Sequence, residues 1–438
     1  MLGVFFAVSS SLVDSGFTNA LIREKQITEK DKSTVFFINL FIAVILYLVL
    51  WFTAPLIAGF FNQPQLIWLT RVMGLDLIFK AFSIVQRAVL MQSLRFKLLS
   101  KINIGVSLVT GAIAVFLAYK GLGVWALAIK FFLSSLIISI VFWVNNPWIP
   151  RKFINKKSFD YLFGFGSKIM LTGLLNTLYN NIYKLVIGRF FPAATLGFFD
   201  RASIFTNQIM SGFLIALQQV TYPTLSKTQD DHQRLKRAFK KIITSVTFVN
   251  FPLAAFVALS AEPLIVLLLG KQWSPAVPFM QLLCVGAFVS HLSSVNQNLF
   301  KVLRRSDLYL KIALINKIMI TLAIVIGLQF GIWGLIIGKV VTKYIEVIVC
   351  MVYTEKHLGY SIKEQFKDIL PIGISLIPSI LIMFFIAQTI DPLFQRLLLL
   401  MVSGFGLYLL TAILSKSTAY GQIKEVILPY IQKKRNKF

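Results

Sequence analysis

Thirteen apolar runs, each about 18 residues or longer, follow one another along this chain, and a run of that length crosses a bilayer as a helix. They lie near residues 2–20, 34–60, 65–91, 102–119, 121–144, 162–188, 196–221, 242–269, 275–300, 308–329, 331–353, 369–390 and 394–414. Helices are the expected form because a helix satisfies its backbone amides within one segment, where hydrocarbon offers no water. The longest stretches between or beyond the runs are the segment around 222–241 and the tail after 415, which leaves no room for a separate soluble domain. The expected fold is an all-α polytopic membrane protein of about thirteen transmembrane helices. A composition that is 57% hydrophobic, with 40 Phe among 438 residues, agrees with a lipid-facing surface.

The runs fall into two copies. Pro55-Leu56-Ile57 recurs 208 positions later as Pro263-Leu264-Ile265, and Gly123-Val124-Trp125 recurs at the same offset as Gly331-Ile332-Trp333. Two landmarks at one fixed spacing indicate a duplicated helical bundle, an architecture common among secondary transporters. The expected organisation is an N-terminal lobe over 1–145, a linker over 146–160 and a C-terminal lobe over 161–356. Two additional helices over 357–414 and a basic tail over 415–438 complete it. Leu196-Gly197-Phe198-Phe199 pairs with Leu2-Gly3-Val4-Phe5, and the second copy has a span before that landmark. The pattern therefore predicts a fourteenth helix of roughly 30–40 residues ahead of the first span in a complete version.

The charges run with this pattern. The formal net charge is +27, and in a soluble chain that would point to nucleic acid. Here alternate loops hold 30 of the 44 basic residues and the intervening loops hold four, Lys120, Arg189, Lys271 and Arg396. Lys and Arg mark the cytoplasmic side, so the surplus reads as topology, with a cytoplasmic C-terminus and no nucleic-acid partner. Cys284 and Cys350 lie inside apolar runs and imply no disulfide framework.

Ionisable residues inside the spans are the candidate functional residues, because a charge in hydrocarbon faces protein or a wet cavity. Ten basic residues fall there: Arg71, Lys80, Arg87, Lys130, Lys168, Lys184, Arg201, Lys317, Lys339 and Lys343. The acids are chiefly Asp14, Asp76, Asp200 and Glu346, so a surplus of positive charge awaits an anion such as a phosphate. Lys168, Thr172, Asn176, Asn180 and Lys184 follow at i+4 along one helix face. Arg189 and Arg201 lie at the same membrane level as Lys184, so the three are expected to converge; snorkelling to the interface is the bland alternative for Lys168 and Arg189. Asp76 and Lys80 stand at i,i+4, a spacing that suits a self-neutralising pair as well as a substrate contact. Lys339, Lys343 and Glu346 share a face, and Lys130 lies within one residue of the repeat equivalent of Lys339.

No catalytic constellation is visible. The three histidines, His232, His291 and His357, lack metal spacing, and no phosphate-binding Gly-Lys-Ser/Thr loop is present. The chain is therefore expected not to be an enzyme and to hold no cofactor, which leaves an ion gradient or the membrane potential as drive.

In combination, several stretches resemble the polysaccharide-transporter branch of the multidrug/oligosaccharidyl-lipid/polysaccharide exporter superfamily. They are Ser15–Arg23 with Thr34–Asn39, Gln86–Phe96, Gly123–Leu127, Leu185–Arg189, Leu196–Ala202, Tyr222–Gln229 with Asp230-Asp231, Ala261–Leu269 and Trp273–Leu282. The resemblance covers essentially the whole chain. It implies two pseudo-symmetric helical lobes plus two C-terminal helices in the bacterial inner membrane. It also implies flipping of an undecaprenyl-pyrophosphate-linked oligosaccharide by alternating access, with membrane lipids and a polysaccharide polymerase machinery as partners. Related peptidoglycan-precursor flippases carry an aromatic-aromatic-x-x-Arg motif, which Phe198-Phe199-Asp200-Arg201 matches approximately, so the resemblance points to Arg201. The family often has an acid just before its Leu-x-Ile-Gly-Arg stretch, where this chain has Tyr183-Lys184, a departure that favours anion binding over cation coupling. The expected substrate contacts are thus Arg201, Lys184, Asn180, Asn176, Lys80, Lys339, Lys343 and Arg189. A cation-coupled multidrug exporter of the same superfamily and a membrane polysaccharide polymerase or ligase are the alternatives.

Overall fold

The computed structural model describes residues 1–14, 28–93, 95–150, 155–226, 231–303 and 305–414, with Leu21, Thr228 and Gly421. Ser15–Arg23, apart from Leu21, and nearly all of the basic tail lie outside the described residues. The described residues are helical, with no strand among them. The helices are α1 (Gly3–Asp14), α2 (Glu29–Phe61), α3 (Leu66–Gln92), α4 (Phe96–Tyr119), α5 (Val124–Asn145), α6 (Lys156–Phe190) and α7 (Ala193–Ser226). They continue as α8 (His232–Leu259), α9 (Ala261–Leu269), a 3-10 turn (Lys271–Ala276), α10 (Val277–Val302), α11 (Ser306–Gln329), α12 (Gly331–Leu358), α13 (Ile362–Thr389) and α14 (Leu393–Leu414).

Among the described residues, eight helical stretches are long and apolar enough to cross a membrane: α2, α4, α5, α8, the turn with α10, α11, α13 and α14. Four others have the length, 27, 35, 34 and 28 residues for α3, α6, α7 and α12, but charged or amide side chains interrupt their runs. All eight expected substrate contacts sit on these four, whereas Lys130, Lys317 and Asp14 lie on α5, α11 and α1. That is the expected division of labour in a bilayer, with apolar helices facing lipid and polar ones facing protein or water.

The repeat has a backbone counterpart. Asn62 (φ 53°) ends α2 and Gly270 (φ 95°) ends α9, and the two positions differ by 208. Gly123 (φ 52°) and Gly331 (φ 70°), which precede α5 and open α12, differ by the same number. Residues with positive φ set where a helix stops and how the chain leaves it, so retaining them keeps each turn in register. One asymmetry stands out. The continuous α2 of the first copy corresponds to α8 and α9 of the second, which are separated at Ser260.

The contacts divide the chain into two units, Met1–Phe190 and Phe191–Phe438. In this division the expected linker over 146–160 falls inside the first unit, and α6 packs with α1 and α2. Local chemistry explains the placement. Gly173 of α6 faces α1, where an added Cβ would make an ordinary van der Waals contact 3.4 Å from Ser11 Oγ. The Asn155 amide donates to Thr34 Oγ1 at 3.0 Å, and Arg189 Nη1 donates to the Phe60 carbonyl at 2.6 Å. That carbonyl lies in the last turn of α2 and has no partner within its own helix, so the arginine satisfies it. The core of this unit is Phe6, Val13, Val35, Leu50, Leu77 and Val85, with Phe36 edge-on to Phe82, Trp143 and Trp148.

In the second unit, α13 and α14 pack on α8 and are fastened at both ends. At one end Lys236 pairs with Glu364 (3.0 Å) and Lys240 with Asp368 (2.9 Å), while Tyr360 donates to Asp368 at 2.6 Å. Burial, then the bond to Asp368, raises the Tyr360 pKa above its ordinary value, so the hydroxyl stays a donor. Midway, the Tyr408 hydroxyl donates to the Phe248 carbonyl at 2.9 Å. At the other end Arg396, only 7% exposed, donates to Glu262 (2.7 Å), Asp391 (2.8 Å) and the Ile390 carbonyl (2.6 Å). A planar guanidinium can serve three acceptors at once, which an ammonium on a lysine stem cannot match. Arg396→Ala is therefore expected to destabilise the protein by about 1.5–3 kcal/mol, the range for hydrogen bonds to charged groups. Arg396→Lys should recover only part of that loss, and thermal unfolding in detergent is the check.

Candidate functional site: a cationic, hydroxyl-lined cavity

Three polar stripes at helical spacing meet within the second unit. Ser203, Thr206, Asn207 and Ser211 stand at i, i+3, i+4 and i+8 on α7; Ser290, Ser293, Ser294 and Gln297 stand at i, i+3, i+4 and i+7 on α10. Lys339, Lys343 and Glu346 stand at i, i+4 and i+7 on α12. Such spacing keeps side chains on one face, and the three faces enclose a cavity of about 350 Å³. Gly286 of α10 faces Val340 of α12, where an added Cβ would make an ordinary van der Waals contact 3.6 Å from Cγ2.

The cavity's charges are organised. Lys343 Nζ lies 2.9 Å from Glu346 Oε2, and Gln297 Nε2 donates to the other carboxylate oxygen at 3.1 Å. The Lys343 side chain is 43% exposed and that of Glu346 is 5% exposed, so the lysine reaches into the open space and the carboxylate stays behind it. Lys339 Nζ lies 4.9 Å from the centroid of the Phe199 ring, a cation–π contact. The serine hydroxyls of α10 donate to carbonyls of their own helix, at 2.9 Å for Ser290 to Ala287, 3.0 Å for Ser293 to Ser290 and 3.3 Å for Ser294 to Ser290. A hydroxyl rotates readily and keeps lone pairs free, so this wall can meet sugar hydroxyls as donor or acceptor.

Of the residues singled out from the sequence, Lys339 and Lys343 line this cavity. Arg201 does not lie on the α7 stripe. Counting back from Ser203 by three and four residues gives Asp200 and Phe199, which leaves Arg201 on another face, exposed, with its guanidinium 6.0 Å from the Trp273 ring centroid. Lys184 is half-buried, whereas Asn176 and Asn180 are exposed on α6, and all three belong to the first unit. Arg189 is engaged by the end of α2, with Phe60 as both carbonyl acceptor and ring partner at 5.2 Å. The side chain of Lys168 lies outside the described residues.

Lys80 forms the pair that its spacing allows. Its Nζ is 2.6 Å from Asp76 Oδ2 and 3.3 Å from Ser10 Oγ, while Ser135 donates to the other oxygen of Asp76. The repeat equivalent of Ser135 is Lys343, 208 positions on, so the two units build their polar centres at one shared position with different chemistry. Arg71 lies between two tryptophans, 4.6 Å from the Trp51 centroid and 5.0 Å from that of Trp68.

Sequence reasoning missed the hydroxyl stripes on α7 and α10. The i, i+3, i+4 spacing of serines and amides on otherwise apolar helices carries that signal, but uncharged residues are cheap enough in a membrane that their presence alone does not stand out. Among the described residues no group of three His, Cys, Asp or Glu is placed to hold a metal ion.

Comparison with known proteins places this geometry. A family profile described as "Polysaccharide biosynthesis protein" matches residues 1–278 and 275–430. The chain is 27% identical over 303 residues to the teichuronic acid biosynthesis protein TuaB of Bacillus subtilis (strain 168), a match over 68% of this chain and 62% of that protein. It therefore spans less than two thirds of the length of that relative. It is 24% identical to an uncharacterized membrane protein in the cps region of Klebsiella pneumoniae, over 97% of this chain and 89% of the other. It is also 24% identical to the lipopolysaccharide biosynthesis protein WzxC of Escherichia coli (strain K12), over 85% and 77%. Among solved structures, the lipid II flippase MurJ in an inward closed conformation superposes with a TM-score of 0.78, at 17% identity, over 95% of this chain and 92% of that one. An inward-facing multidrug resistance MATE family transporter of the MOP superfamily gives 0.64 at 15% identity, over 82% and 88%. These structural likenesses establish the fold.

The cavity's access to water is directly testable. Both native cysteines are buried, so background labelling is expected to be low. Asn207→Cys and Ser294→Cys should react with a charged, membrane-impermeant thiol reagent, whereas Ile318→Cys on the exposed apolar face of α11 should not. The check is the labelled fraction by mass spectrometry.

Proposed function

We infer, because the chain belongs to the polysaccharide biosynthesis protein family, that it flips a pyrophosphate-linked oligosaccharide lipid across the bacterial inner membrane for surface polysaccharide synthesis. The observation that carries this reading is the chemistry of the second-unit cavity: two lysines, one paired carboxylate and a wall of hydroxyls and amides. Lys339 and Lys343, one helical turn apart, hold the phosphates. Ser203, Asn207 and Ser294 meet sugar hydroxyls, and the lipid tail stays in the bilayer. A volume of about 350 Å³ suits the phosphates with the first sugars, within the range usual for small-ligand pockets. The remaining sugars extend beyond it.

The translocation step is alternating access, the mode that duplicated transporter bundles use. Movement of an anionic head from the cytoplasmic to the outer face runs with the membrane potential, worth about 2.3 kcal/mol per charge per 100 mV. The orientation follows the basic loops, with the C-terminus in the cytoplasm. Polysaccharide polymerases are the downstream partners. An exporter of cationic drugs would call for a surplus of carboxylates in the cavity, whereas the one carboxylate among its described residues is already held by Lys343.

Replacing both lysines by glutamine is expected to lower polymer export in cells by at least about a hundredfold, on the basis of two charge-assisted contacts of roughly 1.5–3 kcal/mol each. Arg201→Ala should lower export less than the double substitution. Export that persists in the double variant at normal membrane abundance would remove the cavity from the pathway.

A further inference from the structure

Arg71 is the only Lys, Arg, Asp or Glu between residues 33 and 75, so it is the sole ionised side chain along most of α2 and the opening turns of α3. Its guanidinium rests 4.6 Å from the Trp51 ring centroid and 5.0 Å from that of Trp68. Cation–π contacts orient a guanidinium without neutralising it. Among the described residues Arg71 has no carboxylate partner and no hydrogen-bond acceptor, and its Nε is buried without a partner. The other basic groups at comparable places are served. Lys80, Arg189, Lys343 and Arg396 each meet a protein oxygen, at 2.6, 2.6, 2.9 and 2.7 Å.

The surroundings say where its acceptor comes from. One turn deeper, Tyr47 packs on Gly74, where an added Cβ would lie 2.9 Å from the ring, so α2 and α3 close on one another beneath the arginine. Arg71 lies about 8 Å along α3 from its first residue, and helical side chains lean toward the N-terminus, here the outer end of the helix. The seam is open sideways, since Leu48 and Phe52 of α2 are exposed and Trp68 is 58% exposed. Exposed apolar side chains of this kind face lipid. The duplicated fold does not demand the arrangement. The second copy's counterpart of α3, α10, has no Lys or Arg before Lys301 in its last turn, and α8 and α9 hold no tryptophan. The arginine and its two indoles are an addition to a seam that packs without them.

We propose that Arg71, Trp51 and Trp68 form an outer-leaflet binding site for the phosphodiester of an anionic phospholipid. The terminal amino groups of a guanidinium present a fork that matches two phosphate oxygens, and tryptophans belong at headgroup level in a bilayer. The charge count selects the ligand class. One guanidinium neutralises one phosphodiester, whereas a pyrophosphate would leave a second charge over lipid-facing side chains, with no other cation on α2 or α3 at this level. Snorkelling to water is the bland alternative, and it gives the indoles no part to play. The leaflet follows the orientation proposed above; the site itself does not depend on the role of the second-unit cavity.

The test titrates the full chain, purified in neutral detergent, with phosphatidylglycerol or phosphatidylcholine of matched acyl chains, and resolves successive lipid adducts by native mass spectrometry. Basic loops also attract anionic lipid, so the readout is the change between variants. One phosphatidylglycerol binding step is expected to weaken about tenfold or more in Arg71→Gln, the loss of a charge-assisted contact. The same step should weaken about threefold in Trp68→Leu, which removes one indole and keeps the charge. Phosphatidylcholine binding should change in neither variant. Trp68 is largely exposed, so its variant serves where Arg71→Gln does not fold. Phosphatidylglycerol binding unchanged in both variants overturns the proposal. Binding that weakens in Arg71→Gln alone overturns the built site and leaves a snorkelling arginine. Equal weakening for phosphatidylcholine overturns the choice of an anionic headgroup. Inorganic phosphate or polyprenyl pyrophosphate that displaces the lipid from this step at a lower concentration than phosphatidylglycerol itself overturns the phospholipid as occupant, in favour of a free anion or a polyprenyl lipid respectively.

Discussion

An ionised side chain cannot stand alone in hydrocarbon, and the polar interior of this protein is arranged around that fact. In the first unit Asp76 and Lys80 neutralise one another and recruit Ser10 and Ser135. In the second, Lys343 and Glu346 do the same with Gln297. Effective penalties of several kcal/mol per unpaired buried ion make these pairings obligatory rather than decorative. The second unit differs in placing another lysine, Lys339, in contact with the Phe199 ring on the same face, together with a cavity lined by hydroxyls. That difference gives the second polar centre the chemistry of a binding site, whereas the first reads as a closed pair.

The remainder of the architecture keeps those groups in place. Four long helices, α3, α6, α7 and α12, carry most of the intramembrane charges and α10 adds a hydroxyl and amide stripe, while apolar helices such as α4, α11 and α14 present Leu, Ile, Val and Phe side chains outward. Exposed apolar surface on this scale would aggregate in water, and in lipid it is the proper solvent contact. The fastening of α13 and α14 through Lys236, Lys240 and Arg396 makes these helices part of the second unit rather than an appendage.

Much of this was legible in the sequence, for identifiable reasons. The repeat is carried by turns, and the positive-φ positions Asn62 and Gly270, or Gly123 and Gly331, fall at its offset because a helix end tolerates little drift. The face shared by Lys339, Lys343 and Glu346 follows from spacing alone, since all three lie on one helix. What was not legible depends on contacts between helices. Arg189 looks like part of a polar face until the end of α2 is known, and then it is the partner of an orphan carbonyl. The motif around Arg201 draws attention to the arginine, whereas the phase of Ser203, Thr206 and Asn207 turns it away from the cavity. The association of α6 with the first unit draws on the Asn155–Thr34 and Arg189–Phe60 bonds, neither of which has a sequence signature.

The most direct measurement of the central claim is translocation itself. The purified chain is reconstituted into liposomes whose inner leaflet alone carries a polyprenyl-pyrophosphoryl glycolipid, and exposure of the sugar on the outside is followed with a membrane-impermeant glycosidase. The account predicts a rise in cleavable sugar well above that of protein-free vesicles, abolished when Lys339 and Lys343 are both glutamine. Cleavage no faster than in protein-free vesicles, or equally fast with the two lysines removed, would contradict it.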